Sequence, residues 1–338
     1  MPVSYQTILL GRAVVIGFSL ASSGVSAKPA RPLLEAAQRA EALNAAAPGA
    51  TLGVGSHGNA VVRSQILMDR AWFSPGEIDG RFNSNMQRAL KGYQQSAGLL
   101  VSGKLDRATS QALASIDAQP FTTYTVTAAD LAGPYAPIPA GMMERAKLKS
   151  LGYTSINEAL GERFHMSPGL LRALNPGPLR VGREIVVAHV GAGGSDAQDA
   201  PKGASIRIDK SERMLYALDA SGKAVAGFPI SIGGPLDPLP IGRMKIIKEV
   251  ANPTFTFDPA LLKNSPRGSV KSEIAAGPNN PVGNVWLGLS KPHWGIHGTP
   301  NPERMGRAET NGCVHLTNWD AKRLSTIAKP GFVVDVRE

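Results

Sequence analysis

The stretch HWGIHGTPNPERMGRAETNGCVHLTNWD, residues 293–320, holds the only cysteine of the chain, Cys313, and three of its six histidines. A sulfur nucleophile needs a base to become thiolate, and a histidine has a suitable pKa. It also needs donors for the oxyanion that grows on an attacked carbonyl. Gly312, without a Cβ, lets backbone come close to a substrate, so the amides of Gly312 and Cys313 are candidate donors. A carbonyl at Gly298 would fix the tautomer of His297 by accepting from its second nitrogen. The separation, 313 − 297 = 16 residues, is too long for one helix face. Pro300, Pro302 and Gly306 mark a connecting loop that can return the chain, so that two strand ends present histidine and cysteine together. Two blander readings compete. A lone cysteine is often a small buried apolar residue. His293, His297, Cys313 and His315 could also imitate a zinc set, but Gly295 opposes the helix that four-apart histidine ligands require.

Working outward, residues 204–338 have strand character. Ile206 and Ile208, then Met214, Tyr216 and Leu218, alternate across a turn at Lys210-Ser211-Glu212, which predicts a hairpin. Ala224–Ile232, Met244–Val250 and Phe332–Val336 read as further strands. This region is similar to the catalytic domain of the L,D-transpeptidase family, also called the YkuD-type domain. The resemblance rests on IDKSERMLYAL, FPISIGGPLDPLPIGRMKI, GPNNPVG, IHGTPNP and TNGCVHLTNWDA, which together cover nearly all of residues 204–338. It implies that Cys313 is the nucleophile, His297 its base and later acid, Gly298 the source of the orienting carbonyl, and Gly312 part of the oxyanion backbone. Thr299, Arg304, Arg307, Asn311 and His315 are expected to touch substrate. Many members have a histidine where Asn311 stands, and an Arg or Asn where His315 stands. A neutral histidine holds a carboxylate less firmly than an arginine fork. Arg304 and Arg307 read equally well as solvated surface charge.

The implied reaction starts from a peptidoglycan stem tetrapeptide. Cys313 attacks the carbonyl of the third residue, D-alanine leaves, and the thioester passes to an amine. The acceptor is left open: another stem peptide, an outer-membrane lipoprotein or a free D-amino acid. With water as acceptor the enzyme is a carboxypeptidase or hydrolase. A non-catalytic wall-binding scaffold is the alternative from another class. No cofactor and no metal are implied.

Two modules are expected upstream. Residues 55–116 contain EIDGRFNSNMQRAL and LVSGKLDRATSQAL, each a glycine turn followed by a helix start, and resemble a small three-helix peptidoglycan-binding domain. Asn83 and Met86 occupy the family's glycine and threonine positions, and Asn83 is expected to tolerate the positive φ of a turn. Residues 122–189 read as strand, two helices and strand. INEALGERFHMSPGLLRALNPG followed by LRVGREIVVA resembles a LysM module, a glycan-binding fold. About 30 residues separate Tyr124 from that match, more than a compact module needs, which leaves a degenerate module or one with an insertion. His165 is expected at the surface. Trp286 and Trp319 are expected in the core, and His293 and Trp294 in a cleft wall or packed.

The N-terminus reads as a secretory signal over residues 1–27. Arg12 is the charge, Ala13–Ala21 the short apolar run, and Val25-Ser26-Ala27 the cleavage site. A tether (28–54), with a possible short helix at Leu34–Leu43, and a linker (190–203) complete the plan. The fold expected is therefore multidomain α+β, with a mostly-β catalytic domain behind a three-helix domain and a βααβ LysM-like module. The protein is expected in the periplasm or cell wall, with no transmembrane segment once the signal is removed. The net charge of +10 over 338 residues suits an anionic partner. No basic run with interleaved aromatics appears, which disfavours nucleic acid. Glycan strands and stem peptides of the wall fit better.

Overall fold

A computed structural model describes residue 1 and residues 35–45, 51–191, 200–235, 237–261, 267–310 and 312–338. The expected signal segment 2–27, most of the tether and the centre of the linker lie outside the described residues. Among the described residues no helix is long and apolar enough to cross a membrane.

The expected tether is not free throughout. Ala36–Asn44 form helix α1, whose Ala36 and Ala40 are buried in the core of the middle module. The Asn44 amide donates to Phe121 O at 2.8 Å and its Oδ1 accepts from Phe121 N at 2.9 Å. A side chain thus completes the hydrogen bonding of a strand end.

The first module has three helices, α2 (Asn59–Arg70), α3 (Ser84–Ser96) and α4 (Arg107–Ala114). Asp106 caps α4 by accepting from Thr109 N. Asn83 plays the same role on α3, accepting from Met86 N with φ −102°. It is not the positive-φ residue the sequence suggested; Gly80 carries that conformation at φ 74°. Asparagine serves here through its side-chain oxygen, which suits a helix start better than a left-handed turn.

The middle module pairs β1 (Phe121–Thr125) antiparallel with β2 (Glu184–Ala188). Between them lie α5 (Ala128–Ala132), α6 (Met142–Arg145), α7 (Ile156–Arg163) and α8 (Pro168–Leu174). Ser155 caps α7, and Ser167 caps α8 with Pro168 in its first turn. The strand–helix–helix–strand order is present, and residues 126–155, with α5 and α6, form an insertion in it. Val62, Ile66 and Ile78 of the first module share one core with Leu160, Leu171 and Ile185.

The C-terminal domain contains β3 (Ser205–Asp209), β4 (Met214–Leu218), β5 (Ala224–Pro229), β6 (Gly242–Ala251), β7 (Phe255–Phe257), β8 (Ser272–Ile274), β9 (Val285–Leu289), β10 (Gly295–His297), β11 (Val314–His315), helix α9 (Asn318–Ile327) and β12 (Val333–Arg337). Eight strands form one sheet in the order β11-β10-β9-β6-β12-β3-β4-β5, while β7 and β8 form a separate hairpin. The expected β3–β4 hairpin is there, with Asp209 opposite Met214. Strand β6 is the corner. Its first residues pair with β12, its later ones with β9, and the register shifts between Ile246 and Lys248. Ser231, just past β5, exchanges two backbone hydrogen bonds with His315 of β11. The two ends of the strand order therefore meet beside the candidate site. The edge of β5 is covered by the first module, where Trp72 O accepts from Gly227 N and Ser74 N donates to Gly227 O.

Candidate active site

The site is built on the parallel pair β10–β11, where Ile296 lies opposite Val314 and His297 opposite His315. Side chains alternate along a strand, so the two histidines share a face, and their ring centroids are 4.2 Å apart. Cys313 immediately precedes β11 and falls beside Gly295, whose missing side chain leaves room for the indole of Trp286. Spacing alone could not show this juxtaposition; the return of the loop through Pro300–Gly306 delivers it.

His297 is 2% exposed. Its Nδ1 lies 2.7 Å from Gly298 O. A carbonyl only accepts, so Nδ1 carries the proton and Nε2 keeps its lone pair. The ring stacks on Trp286 at 5.2 Å and 16°. Burial lowers its pKa to about 4, opposed by the Gly298 hydrogen bond. Burial also lowers the pKa of His315, and proximity to His297 adds to the effect. The Cys313 thiol is pushed above the ordinary thiol range by burial, opposed by the N–H groups of Gly295 and Cys313. Burial thus works against a thiolate–imidazolium pair and toward the neutral forms of all three groups.

Cys313 is half-buried, and its Sγ donates to His293 O at 3.5 Å rather than to His297. Gly312 is buried with φ 111°, a conformation that L side chains rarely adopt. Gly298 is fixed by space instead, because a Cβ there would sit 2.2 Å from Asn318 Oδ1. Thr310 Oγ1 donates to Cys313 O at 2.7 Å. Beside His315 opens a cleft of about 430 Å³, lined by Thr299, Arg304, Met305, Glu309 and Thr310 among others. Cys313 itself does not line it and is linked to it through His315 and Thr310.

The structure therefore gathers Cys313, His297, Gly298, Gly312, His315 and Thr299, with Arg304 on the cleft wall. Arg307 is exposed, donates to Glu303 O and does not line the cleft. Asn311 lies outside the described residues. The four-apart pair His293 and His297 falls on a turn and a strand, not on one helix. Trp286 is only half-buried, and it stacks on the candidate base rather than filling core. Trp319 is buried as expected. Sequence reasoning did not find Ser231, Thr310, or the carbonyl of His293. Ser231 is 84 positions from His315 (315 − 231), and no local pattern links them.

Comparison with known proteins matches two segments of the chain. Residues 203–336 match the family model of the L,D-transpeptidase catalytic domain (YkuD), and residues 57–113 match a putative peptidoglycan binding domain. A putative L,D-transpeptidase YkuD of Bacillus licheniformis is 28% identical over 48% of this chain and 79% of its own length. Its Bacillus subtilis counterpart is 28% identical over 51% of this chain and 88% of its own. Among solved structures, an L,D-transpeptidase from Mycobacterium smegmatis superposes with a TM-score of 0.32 at 17% identity, covering 39% of this chain. The chain spans 58% of that structure. Residues 203–336 are an L,D-transpeptidase catalytic domain, carried behind a peptidoglycan-binding domain at residues 57–113.

Proposed function

We propose that this chain is an exported, wall-bound peptidoglycan L,D-transpeptidase in which Cys313 is the nucleophile and His297 the base. The observation that carries the reading is the 2.7 Å bond from His297 Nδ1 to Gly298 O, which leaves Nε2 free on the strand next to the only cysteine. For attack the thiol leaves the His293 carbonyl and turns toward the imidazole. The proton moves from Sγ to Nε2 as the sulfur bonds to the carbonyl carbon of the third stem residue. Gly312 and Cys313 amides are the oxyanion donors. The tetrahedral species collapses, the bond to D-alanine breaks, and the imidazolium returns its proton to the leaving amine. The remaining thioester is then attacked by an amine, and the thiol is restored. This needs no metal and no organic cofactor.

Burial of both groups favours neutral partners before attack, so the proton transfer belongs to the bond-forming step. Arg304, Thr299 and His315 hold the peptide along the cleft, and Asn311 and Arg307 keep the substrate-binding roles that the resemblance implies. The middle module is read as LysM-like and glycan-binding. A small cleft of about 150 Å³ between Ile156-Asn157 and Asn175–Leu179 supports that reading. Acceptors include a second stem peptide, which gives a cross-link between two third residues, and the lysine of an outer-membrane lipoprotein. The test is release of D-alanine from a disaccharide tetrapeptide, with products followed by mass spectrometry. Dimer formation is expected, and Cys313→Ala should end turnover while leaving sacculus binding intact. No turnover with Cys313 shown to be reduced would reject the reading.

A further inference from the structure

The wall of the 430 Å³ cleft opposite His315 does not come from the catalytic domain alone. Met142 and Arg145, both on α6 in the insertion of the middle module, line it together with Thr299, Arg304 and Thr310. The insertion is anchored to the catalytic domain on its far side. Leu151 N donates to Ala276 O, Asn279 N donates to Leu151 O, and the Asn279 amide donates to Gly152 O and Glu158 Oε1. Leu151 is fully buried with Phe257 and Ile274 of the β7–β8 hairpin, and Met142, Met143 and Leu148 pack around them. Helix α6 is therefore held in place, with two of its side chains committed to the cleft.

Arg145 is half-buried. Among the described residues its one side-chain hydrogen bond runs from Nε to Pro139 O at 2.7 Å, and it has no carboxylate partner. That bond orients the guanidinium and leaves both terminal nitrogens free. Burial lowers its pKa without taking it out of the charged state. A half-buried, oriented fork with two unused terminal nitrogens matches a carboxylate, which accepts two parallel N–H bonds. Arg304 lines the same cleft and Glu309 is the acid there, so the lining carries two cations and one anion. Met142 offers apolar contact to the aliphatic part of the same ligand.

We infer that the α6 insertion is the specificity wall of this enzyme, with Arg145 binding one carboxylate of the donor peptide. The inference rests on the transpeptidase reading for the identity of the peptide, but not for the existence of the anion site. Its consequence is that the middle module takes part in choosing the substrate, and that a chain lacking the insertion accepts peptides this one ranks lower.

The test separates binding from chemistry. In full-length protein carrying Cys313→Ala, calorimetry measures the affinity of a stem tetrapeptide with all carboxylates free, and of forms amidated at one carboxylate at a time. Adding Arg145→Ala is expected to weaken the free peptide about tenfold or more, as loss of a charge-assisted pair does. One amidated form should already bind that weakly and be insensitive to Arg145→Ala, and Arg145→Lys should restore part of the affinity. If Arg145→Ala weakens every form equally, or none, the inference is overturned. Alkylation of Cys313 by iodoacetamide in the Arg145→Ala protein should match the unaltered protein; a slower rate would mean a distorted site and would also count against the proposal. Failure of the unaltered protein to release D-alanine from a peptide that it binds through Arg145 would reject the transpeptidase reading and leave the anion site standing.

Discussion

His297 and His165 are both buried, both stacked face to face on a tryptophan, and both anchored through Nδ1. His297 lies on Trp286 at 5.2 Å, His165 on Trp319 at 5.3 Å. They differ in what Nδ1 meets. His297 meets a neutral carbonyl, Gly298 O. His165 meets the carboxylate of Asp69, at 3.1 and 3.2 Å to its two oxygens. Asp69 also pairs with Arg323, whose guanidinium sits 4.1 Å from the centre of the Trp72 ring. These side chains come from α2, the turn after α7, and α9, so they join all three modules at one point. The pKa of Asp69 is held down by Arg323 and His165 against the effect of burial, and that of its neighbour Asp320 is raised to about 7, burial leading and Asp69 adding to it. The contrast teaches that burial does not decide what a histidine does. A neutral partner leaves a ring that can take up and return a proton; a carboxylate partner turns the same ring into a fastening.

The largest expected break in this comparison is catalytic. His297→Asn should lower kcat for D-alanine release by about 10³-fold, within the range for loss of a positioned base, with the melting temperature little changed. His165→Leu should do the reverse. It leaves Asp69 with one buried partner fewer and costs about 3 kcal/mol in urea denaturation, while turnover per folded molecule stays the same. If His165→Leu instead lowered kcat without loss of stability, the two roles would have been assigned the wrong way round.

Asp320 sharpens the comparison through pH. Its folded pKa of about 7 lies above the ordinary 3.8. A carboxyl raised in the folded state contributes stability that is complete below 3.8 and is lost as pH rises through 7. Asp320→Asn removes that loss. Between pH 6 and 8.5 the stability difference should move by about 1 kcal/mol in favour of the variant, read as unfolding midpoints of both proteins across that range. A difference that stayed flat, or moved toward the unaltered protein, would show that Asp320 does not hold a proton in this range. The smallest effect concerns the thiol. With its pKa above the ordinary 9.0, alkylation of Cys313 by iodoacetamide should still climb with pH beyond 9. At pH 7, His297→Asn should change that rate by no more than about threefold, because little thiolate is preformed. A plateau near neutrality would reveal an ion pair at rest.

The legible part of the molecule was what the chain states locally. Alternation gave β3 and β4, the Gly-Cys and Ile-His-Gly-Thr stretches carried the family resemblance that implies the proposed Cys313–His297 dyad, and the need for one tautomer pointed to a carbonyl near Gly298, which His297 Nδ1 meets. What stayed hidden depends on partners far apart in the chain. Asp69 and Arg323 are separated by 254 positions, Ser74 and Asp320 by 246. No periodicity in either segment announces the other. His165 read as a surface residue because it sits at a helix end, a place where exposed polar residues are common; it has a positive φ of 57°, and the docking of α2 and α9 buries it. Asn83 was taken for a turn residue because asparagine is good at both jobs, and only the backbone shows which one it performs. Arg145 had no signal at all, since the length of the insertion was readable but not the surface against which it folds.

Strand β12, residues Val333–Arg337, lies between β3 and β6 in the middle of the eight-stranded order. During synthesis it leaves the ribosome after every other strand of that sheet. Until then β3-β4-β5 and β6-β9-β10-β11 meet at the Ser231–His315 pair, while β3 and β6 each present an unpaired edge. The nascent domain therefore stays exposed to aggregation, and its closure into one sheet waits for five residues.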